Sequence, residues 1–384
     1  MEGNNMTNEQ LLPIIHKVMD KLMNLGGADY DSDKNTSFTR GKKISKEQSD
    51  QGLIARDFGI EEWDWPQGVG LYGLYKLQNF YGDNRYLDFF ENWIQNNLKK
   101  GLPSRNINTT TPYLMICNLL NALGKPEYEK MCLDQAEWLM HDLPKTRDHG
   151  FQHVTTAIGD RNGIKLNDGE IWADTLFMTV LFLNKMGHLY NRKDWIEEST
   201  RQVLVHIKYL YDKHTGLLYH GWSFPENSNF GGIFWCRGNS WFTYGILEYL
   251  DVAKDTLDPG VYNYIVDTFK AQVETLRKLQ APDGLWHTVL TDPDSYVETS
   301  GTAAITAGIL KGIRCGILDD SYLPCAVKAI RGILDCIDSD GTVLEVSGGT
   351  GMGMDAEHYK NILIAPMTYG QSLTILALAE ALNV

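Results

Sequence analysis

The chain has 384 residues, with 35 Lys+Arg against 49 Asp+Glu and a formal charge of −14. An acidic balance without a basic run excludes nucleic acid and anionic membrane surfaces, because both need a basic footprint. The 43% hydrophobic share excludes disorder and is ordinary for a globular chain. No run of about 18 uncharged apolar residues offers a membrane span, and the first ten residues lack the basic start of a signal peptide. Six cysteines at irregular spacing, with no C-x-x-C, read as reduced thiols and place the protein in the cytoplasm.

Taken in chain order, apolar residues at i, i+3, i+4 and i+7 predict helices over Asn8–Leu25, Pro66–Tyr81, Asn84–Leu98, Thr111–Leu123 and Pro126–Leu143. The pattern resumes over Ile171–Tyr190, Lys193–Tyr211, Asn239–Ala253, Pro259–Gln280, Ser300–Cys315, Ser321–Ile337 and Pro366–Leu382. Twelve helices make six hairpins. Within each pair the first carries a charged face, as in Trp195–Lys213, and suits an outer position. The second is apolar or small nearly all round, which marks a buried helix, and Gly73, Gly245, Ala303, Gly308 and Gly370 allow close backbone approach.

Three outer helices end in related segments, His214–Trp222, Pro282–Val289 and Ser339–Val346, each with a glycine turn, an extended piece and then an inner helix. Self-similarity at a period of roughly 60 residues predicts a repeated α-hairpin. Six such hairpins fit an all-α fold, the (α/α)6 barrel, as one catalytic domain over residues 1–384, with residues 1–30 the first outer helix and 31–62 a loop. Ring closure gathers the long connections on one rim. They carry Trp63, Trp65, His149, His153, Asp174, His220, Trp222, Trp235, Arg237, Trp241, Trp286 and His287. An aromatic rim with a few polar groups is a ligand pocket, and Trp and Tyr faces suit the C–H faces of sugars.

Phosphate-loop, zinc-protease and serine-hydrolase signatures are absent. The glycine-rich Ser347–Gly353 has neither a preceding strand nor a lysine, and reads as a rim loop needing unusual φ/ψ. Asp174 stands at the mouth of a very apolar inner helix. It is either a helix cap or, between Trp172 and Phe177, a desolvated acid with a raised pKa. Arg237, in Trp235–Trp241, is either a structural ion pair or a carboxylate clamp on a stacking platform. Asn239 or Ser240 would cap the helix that follows. His153 and His220 are either core histidines or ligand contacts.

Five segments together resemble glycoside hydrolase family 105, the unsaturated rhamnogalacturonyl hydrolases. They are Trp63–Gly73, Gly150–His153, Trp172–Met178, Tyr219–Trp222 and Trp235–Trp241. The resemblance implies the (α/α)6 barrel and removal of a 4,5-unsaturated uronic acid from the non-reducing end of lyase-generated oligosaccharides. It places Asp174 on the general acid/base and Tyr72, Asn108, His153, His220, Trp235, Arg237 and Trp241 on substrate-binding positions. It implies no metal and no organic cofactor, and a small oligosaccharide as partner; the chain itself is expected to be a monomer or weak homodimer. On that reading Arg237→Ala mainly raises KM. A conventional inverting glycosidase or sugar epimerase on the same barrel would need a second pocket carboxylate or a histidine pair, the carboxylate candidates being Asp148, Glu298 and Asp355.

Overall fold

The computed structural model describes residues 8–25, 59–157 and 160–383. Most of the loop expected over 31–62 lies outside them. Six helices form the inner ring: α2 (Trp65–Tyr81), α4 (Ile107–Leu123), α6 (Leu181–Leu189), α8 (Cys236–Ala253), α10 (Thr299–Arg314) and α13 (Thr368–Ala381). Each packs on the next and α13 packs back on α2, so the ring closes. Outside it stand α1 (Asn8–Met23), α3 (Leu87–Lys100), α5 (Pro126–His141), α7 (Lys193–Leu210), α9 (Pro259–Leu279) and α11 (Leu323–Asp335). This is the (α/α)6 barrel expected from the alternation of charged and apolar helices.

The burial pattern follows from composition. Every residue of α13 from Thr368 to Glu380 is buried, whereas α7 buries only the stripe Trp195, Ser199, Gln202, Val203, His206, Ile207 and Leu210. At about 1.5–3 kcal/mol per buried large apolar side chain, the inner ring dominates the stabilisation. Three of its six helices are begun by side-chain caps. Asp64 accepts from the Trp65 amide with Pro66 following, and Asn106 and Thr109 form a reciprocal capping box.

The repeated glycine segments have one geometric cause. Gly216, Gly284 and Gly341 all adopt left-handed φ, of 82°, 94° and 87°. In each, a Cβ would run into a backbone carbonyl of the next outer helix: Ala271 of α9, Lys328 of α11 and Lys17 of α1. Only glycine meets both demands. Polar side chains of the inner helices hold the chain beyond two of these turns. Asn239 bonds both backbone groups of Leu218, at 2.8 and 2.9 Å, and Gln371 bonds Val343, Gly341 and Val18 of α1.

Several local expectations change. Ile171 and Trp172 are strand, not helix: β3 (Glu170–Trp172) pairs antiparallel with β4 (Gly221–Ser223), and a π-turn at Leu176–Val180 precedes α6. Asn239 and Ser240 do not cap α8, which starts earlier at Cys236. A rim hairpin, β1 (Thr155–Ala157) with β2 (Asp160–Lys165), and a short helix α12 (Ala356–Lys360) were not predicted, being polar or brief and without apolar periodicity. A third small pair joins β5 (Trp286–His287) to β6 (Val297–Glu298). No glycine in Ser347–Gly353 has positive φ; the left-handed residue there is Glu345, at 55°.

Away from the loops, Lys311 of α10 pairs with Glu248 and Asp251 of α8. Lys76 and the Tyr72 hydroxyl of α2 also donate to Glu248, at 3.0 and 2.5 Å. Burial pushes the Glu248 carboxyl up, but the two lysines outweigh it and hold it below the usual range. Glu248 and Lys311 each lie twelve residues into their helices, about 18 Å from the loop-bearing rim.

Candidate active site

The β3–β4 pairing builds the site. Its register sets Trp172 opposite Gly221, and the Ala173 amide donates to the His220 carbonyl at 2.8 Å. Asp174, just after β3, therefore meets His220, just before β4: Oδ2 lies 3.3 Å from Nε2. Distance and charge make this a polar contact, although its angle falls short of a hydrogen bond. The other strand neighbour is His153, whose amide donates to the Glu170 carbonyl. Its ring stacks on Trp172 at 4.0 Å and 13°, and its Nδ1 lies 3.2 Å from the Thr175 hydroxyl.

Asp174 is the exposed member of this cluster. Its side chain keeps 16% exposure against 2% for His220, and Arg237 is wholly buried. No backbone amide of the following helix bonds the Asp174 carboxylate among the described residues; its backbone carbonyl instead accepts from both Phe177 and Met178, one 3-10 and one α-type bond. The capping alternative thus has no hydrogen bond behind it. The expectation of a raised pKa is corrected. Burial does push the Asp174 carboxyl up, but His220, His153 and Arg237 outweigh it and hold it below the usual range. Burial lowers both histidines, His153 to about 3, so at neutral pH they are uncharged dipoles beside a carboxylate.

Behind Asp174 the site is aromatic. His220 packs on Trp235 at 4.3 Å and on Trp172 at 5.3 Å. Trp65 stacks on Tyr369 at 4.5 Å and meets Trp241 edge-on at 6.2 Å. The buried indole N–H groups of Trp222, Trp235 and Trp241 have no hydrogen-bond partner among the described residues.

Arg237 has a different environment from the one a carboxylate clamp needs. Its guanidinium donates to Ser300 and Ser347, to the Gly348 carbonyl at 2.6 Å and to Thr350 at 3.0 Å. It also lies 4.5 Å over Trp235 and 4.8 Å over Tyr369. It pins the glycine-rich rim loop from beneath. Tyr72 is equally removed, its phenol occupied at Glu248 deep in the ring. Asn108 sits half-buried in the first turn of α4. That helix is tied to the histidine segment by the Ile107 amide donating to Val154. Asp174, His153, His220, Trp235 and Trp241 are thus gathered, while Arg237 supports them from below.

The carboxylates proposed for a second catalytic role stand elsewhere. Glu298 is fully buried and accepts from Ser300 and Gly301 as the cap of α10. Asp148 is bound by Lys208 and Tyr209, which lower it to about 2. Asp355 is exposed and caps α12. Sequence reasoning missed Tyr359, whose hydroxyl lies 2.8 Å from His220 Nδ1 across 139 residues of chain. It also missed Asp64, a buried rim carboxylate that caps α2 and accepts from Thr156. No local motif marks Tyr359; only the fold brings it to the site.

A closed six-hairpin ring with an aromatic mouth and a carboxylate set between histidines is the build of a carbohydrate-cleaving enzyme, a glycoside hydrolase. The chain belongs to Glycosyl Hydrolase Family 88, whose family model matches residues 42–384. It is 31% identical over 333 residues to the unsaturated rhamnogalacturonyl hydrolase YesR of Bacillus subtilis, covering 86% of this chain and 93% of that protein. The fold matches a crystal structure from Salmonella enterica, described as a possible member of family GH105, with TM-score 0.88 and 36% identity. That match covers 100% of this chain and 96% of the other. A Klebsiella pneumoniae structure described in the same way matches with TM-score 0.87 and 35% identity, over 100% of this chain and 95% of the other. The resemblance drawn from the five sequence segments agrees with these matches. Among the described residues, no helix is long and apolar enough to cross a membrane.

Proposed function

We propose that the enzyme removes a 4,5-unsaturated uronic acid from the non-reducing end of short oligosaccharides, with an unsaturated rhamnogalacturonan disaccharide as the favoured substrate. The observation that carries this reading is the Asp174 carboxylate, partly accessible and flanked by two uncharged histidines and indoles. The similarity to an unsaturated rhamnogalacturonyl hydrolase supports the substrate class. Ordinary glycosidases use two carboxyl groups across the scissile bond. Hydration of a vinyl ether needs one group acting in turn as acid and base.

The steps follow from the substrate's chemistry. Its C4=C5 double bond is conjugated to the carboxylate and adjoins the ring oxygen. Protonated Asp174 gives its proton to C4, and the positive charge at C5 is shared with the ring oxygen. Water adds at C5 and returns a proton to Asp174. The hemiketal opens and the aglycone sugar leaves. Asp174 must take up a proton first, and the arriving uronate supplies the cause: a second negative charge beside a desolvated carboxylate raises its pKa. His220 holds Asp174 in place, His153 packs beside it on Trp172, and Asn108 lines the adjoining subsite.

Asp174→Asn should keep the fold and substrate affinity while lowering turnover by about 10² or more. Loss of ultraviolet absorbance from the conjugated double bond measures this directly, and near-wild-type decay would sink the assignment. The reading extends to a single catalytic domain acting in the cytoplasm as a monomer or weak homodimer. Six free cysteines, four of them buried, and only scattered exposed apolar side chains support that extension.

A further inference from the structure

We propose that Tyr359 is a positioning residue for the acid–base step: its phenol fixes the hydrogen of His220 on Nε2, and His220 in turn orients the Asp174 carboxylate. The proposal rests on the reading of Asp174 as the acid and base. Tyr359, on α12, is 1% exposed, and its hydroxyl lies 2.8 Å from His220 Nδ1. The same oxygen accepts the Gly353 amide at 3.3 Å, and its other neighbour is the Met352 sulfur at 3.9 Å.

A phenol has one hydrogen to give. With the Gly353 N–H aimed at the oxygen, that hydrogen goes either to an imidazole nitrogen at 2.8 Å or to a thioether at 3.9 Å. Thioether sulfur is a weak acceptor, so the nitrogen takes it. Nδ1 is then the acceptor, and the neutral ring must carry its hydrogen on Nε2, the atom that faces Asp174. The opposite tautomer would point an Nε2 lone pair at Asp174 and requires the carboxyl to be protonated. It would also exchange an O–H···N bond for an O–H···S contact. Tyr359 therefore favours the ionised, oriented carboxylate until substrate arrives.

The other groups facing this pair do not set the tautomer. Among the described residues neither His153 nor Arg237 hydrogen-bonds Asp174, and neither Arg237 nor His358 hydrogen-bonds His220. Arg237 is occupied by the rim loop, and His358 Nε2 lies 3.0 Å from the Gly351 carbonyl. Burial pushes the Tyr359 phenol up, so it stays a donor throughout the working pH range. Gly353 and Tyr359 follow the rim loop that Arg237 anchors, so the order of that segment reaches His220 through two hydrogen bonds and the acid through the polar contact of His220 with Asp174.

Nitrogen-15 correlation spectra of the histidine-labelled full chain test this, with the His220 signal assigned by its loss in His220→Gln. The expected result is Nε2–H in the wild type and loss of that tautomer preference in Tyr359→Phe. The Asp174 carboxyl titration, followed by carbon-13 shift, should rise in that variant by about one pH unit, a tenfold change in acidity. The basic limb of the kcat/KM profile should move with it. Nδ1–H in the wild type overturns the proposal, as does an unchanged tautomer and Asp174 titration in the variant. If Tyr359→Phe does not fold, the wild-type tautomer decides alone. The spectra need no turnover, so their outcome is separate from that of the Asp174→Asn assay.

Discussion

Arg237 shows how one side chain can satisfy a motif and serve a purpose the motif does not state. Its position between two indoles suggests a clamp for the substrate's carboxylate, and Arg237→Ala would then act mainly on KM. In the folded chain the guanidinium is fully buried and its hydrogen bonds end on Ser300, Ser347, Gly348 and Thr350. Removing it leaves several buried acceptors unpaired, so Arg237→Ala should destabilise the protein by about 3–5 kcal/mol. Urea unfolding measures this. A variant of wild-type stability with only a raised KM would restore the clamp. The residue types around Asp174 were legible because β3 and β4 carry them in short local motifs. The hydrogen-bond destination of Arg237 was not legible, because it lies 110 residues away on a glycine loop with no propensity of its own.

At the scale of elements, the alternation of outer and inner helices is plain in the sequence because each type has its own apolar period. The rim strands and α12 are too short to have one. The small residues of the inner helices were expected to permit close packing, and the structure separates them. A Cβ on Gly308 of α10 would lie 2.6 Å from the Thr243 carbonyl oxygen of α8, whereas one on Gly245 would find nothing nearer than Phe177 at 3.7 Å. Gly308→Ala must push two backbones apart and should cost roughly 1–3 kcal/mol. Gly245→Ala has ordinary contact distance and removes a helix-destabilising glycine, so it should be neutral or stabilise by up to about 1 kcal/mol. Thermal unfolding of the two variants distinguishes them, and equal losses would refute the assignment of close contact to Gly308 and not to Gly245.

At the scale of the molecule, acid should unfold this protein earlier than its carboxylates alone would dictate. Burial lowers His153 to about 3 and His206 to about 4. The folded state thus binds fewer protons than the unfolded chain, whose histidines titrate near 6.5. Their stabilisation is complete above pH 6.5 and is lost progressively as pH falls toward the folded values. Between pH 5.5 and 4.5 these two residues should remove about 2 kcal/mol. His206→Asn should reduce that slope by about half in urea titrations, and an unchanged slope would refute the account. The ion cluster of Glu248, Lys311, Lys76 and Tyr72 bears on a different property. It fills the ring at the end opposite the loops, so a ligand at Asp174 is approached from the loop-bearing rim. A site approached from one side takes a chain end and is not threaded by a polymer, and both products leave by the mouth through which the substrate came in.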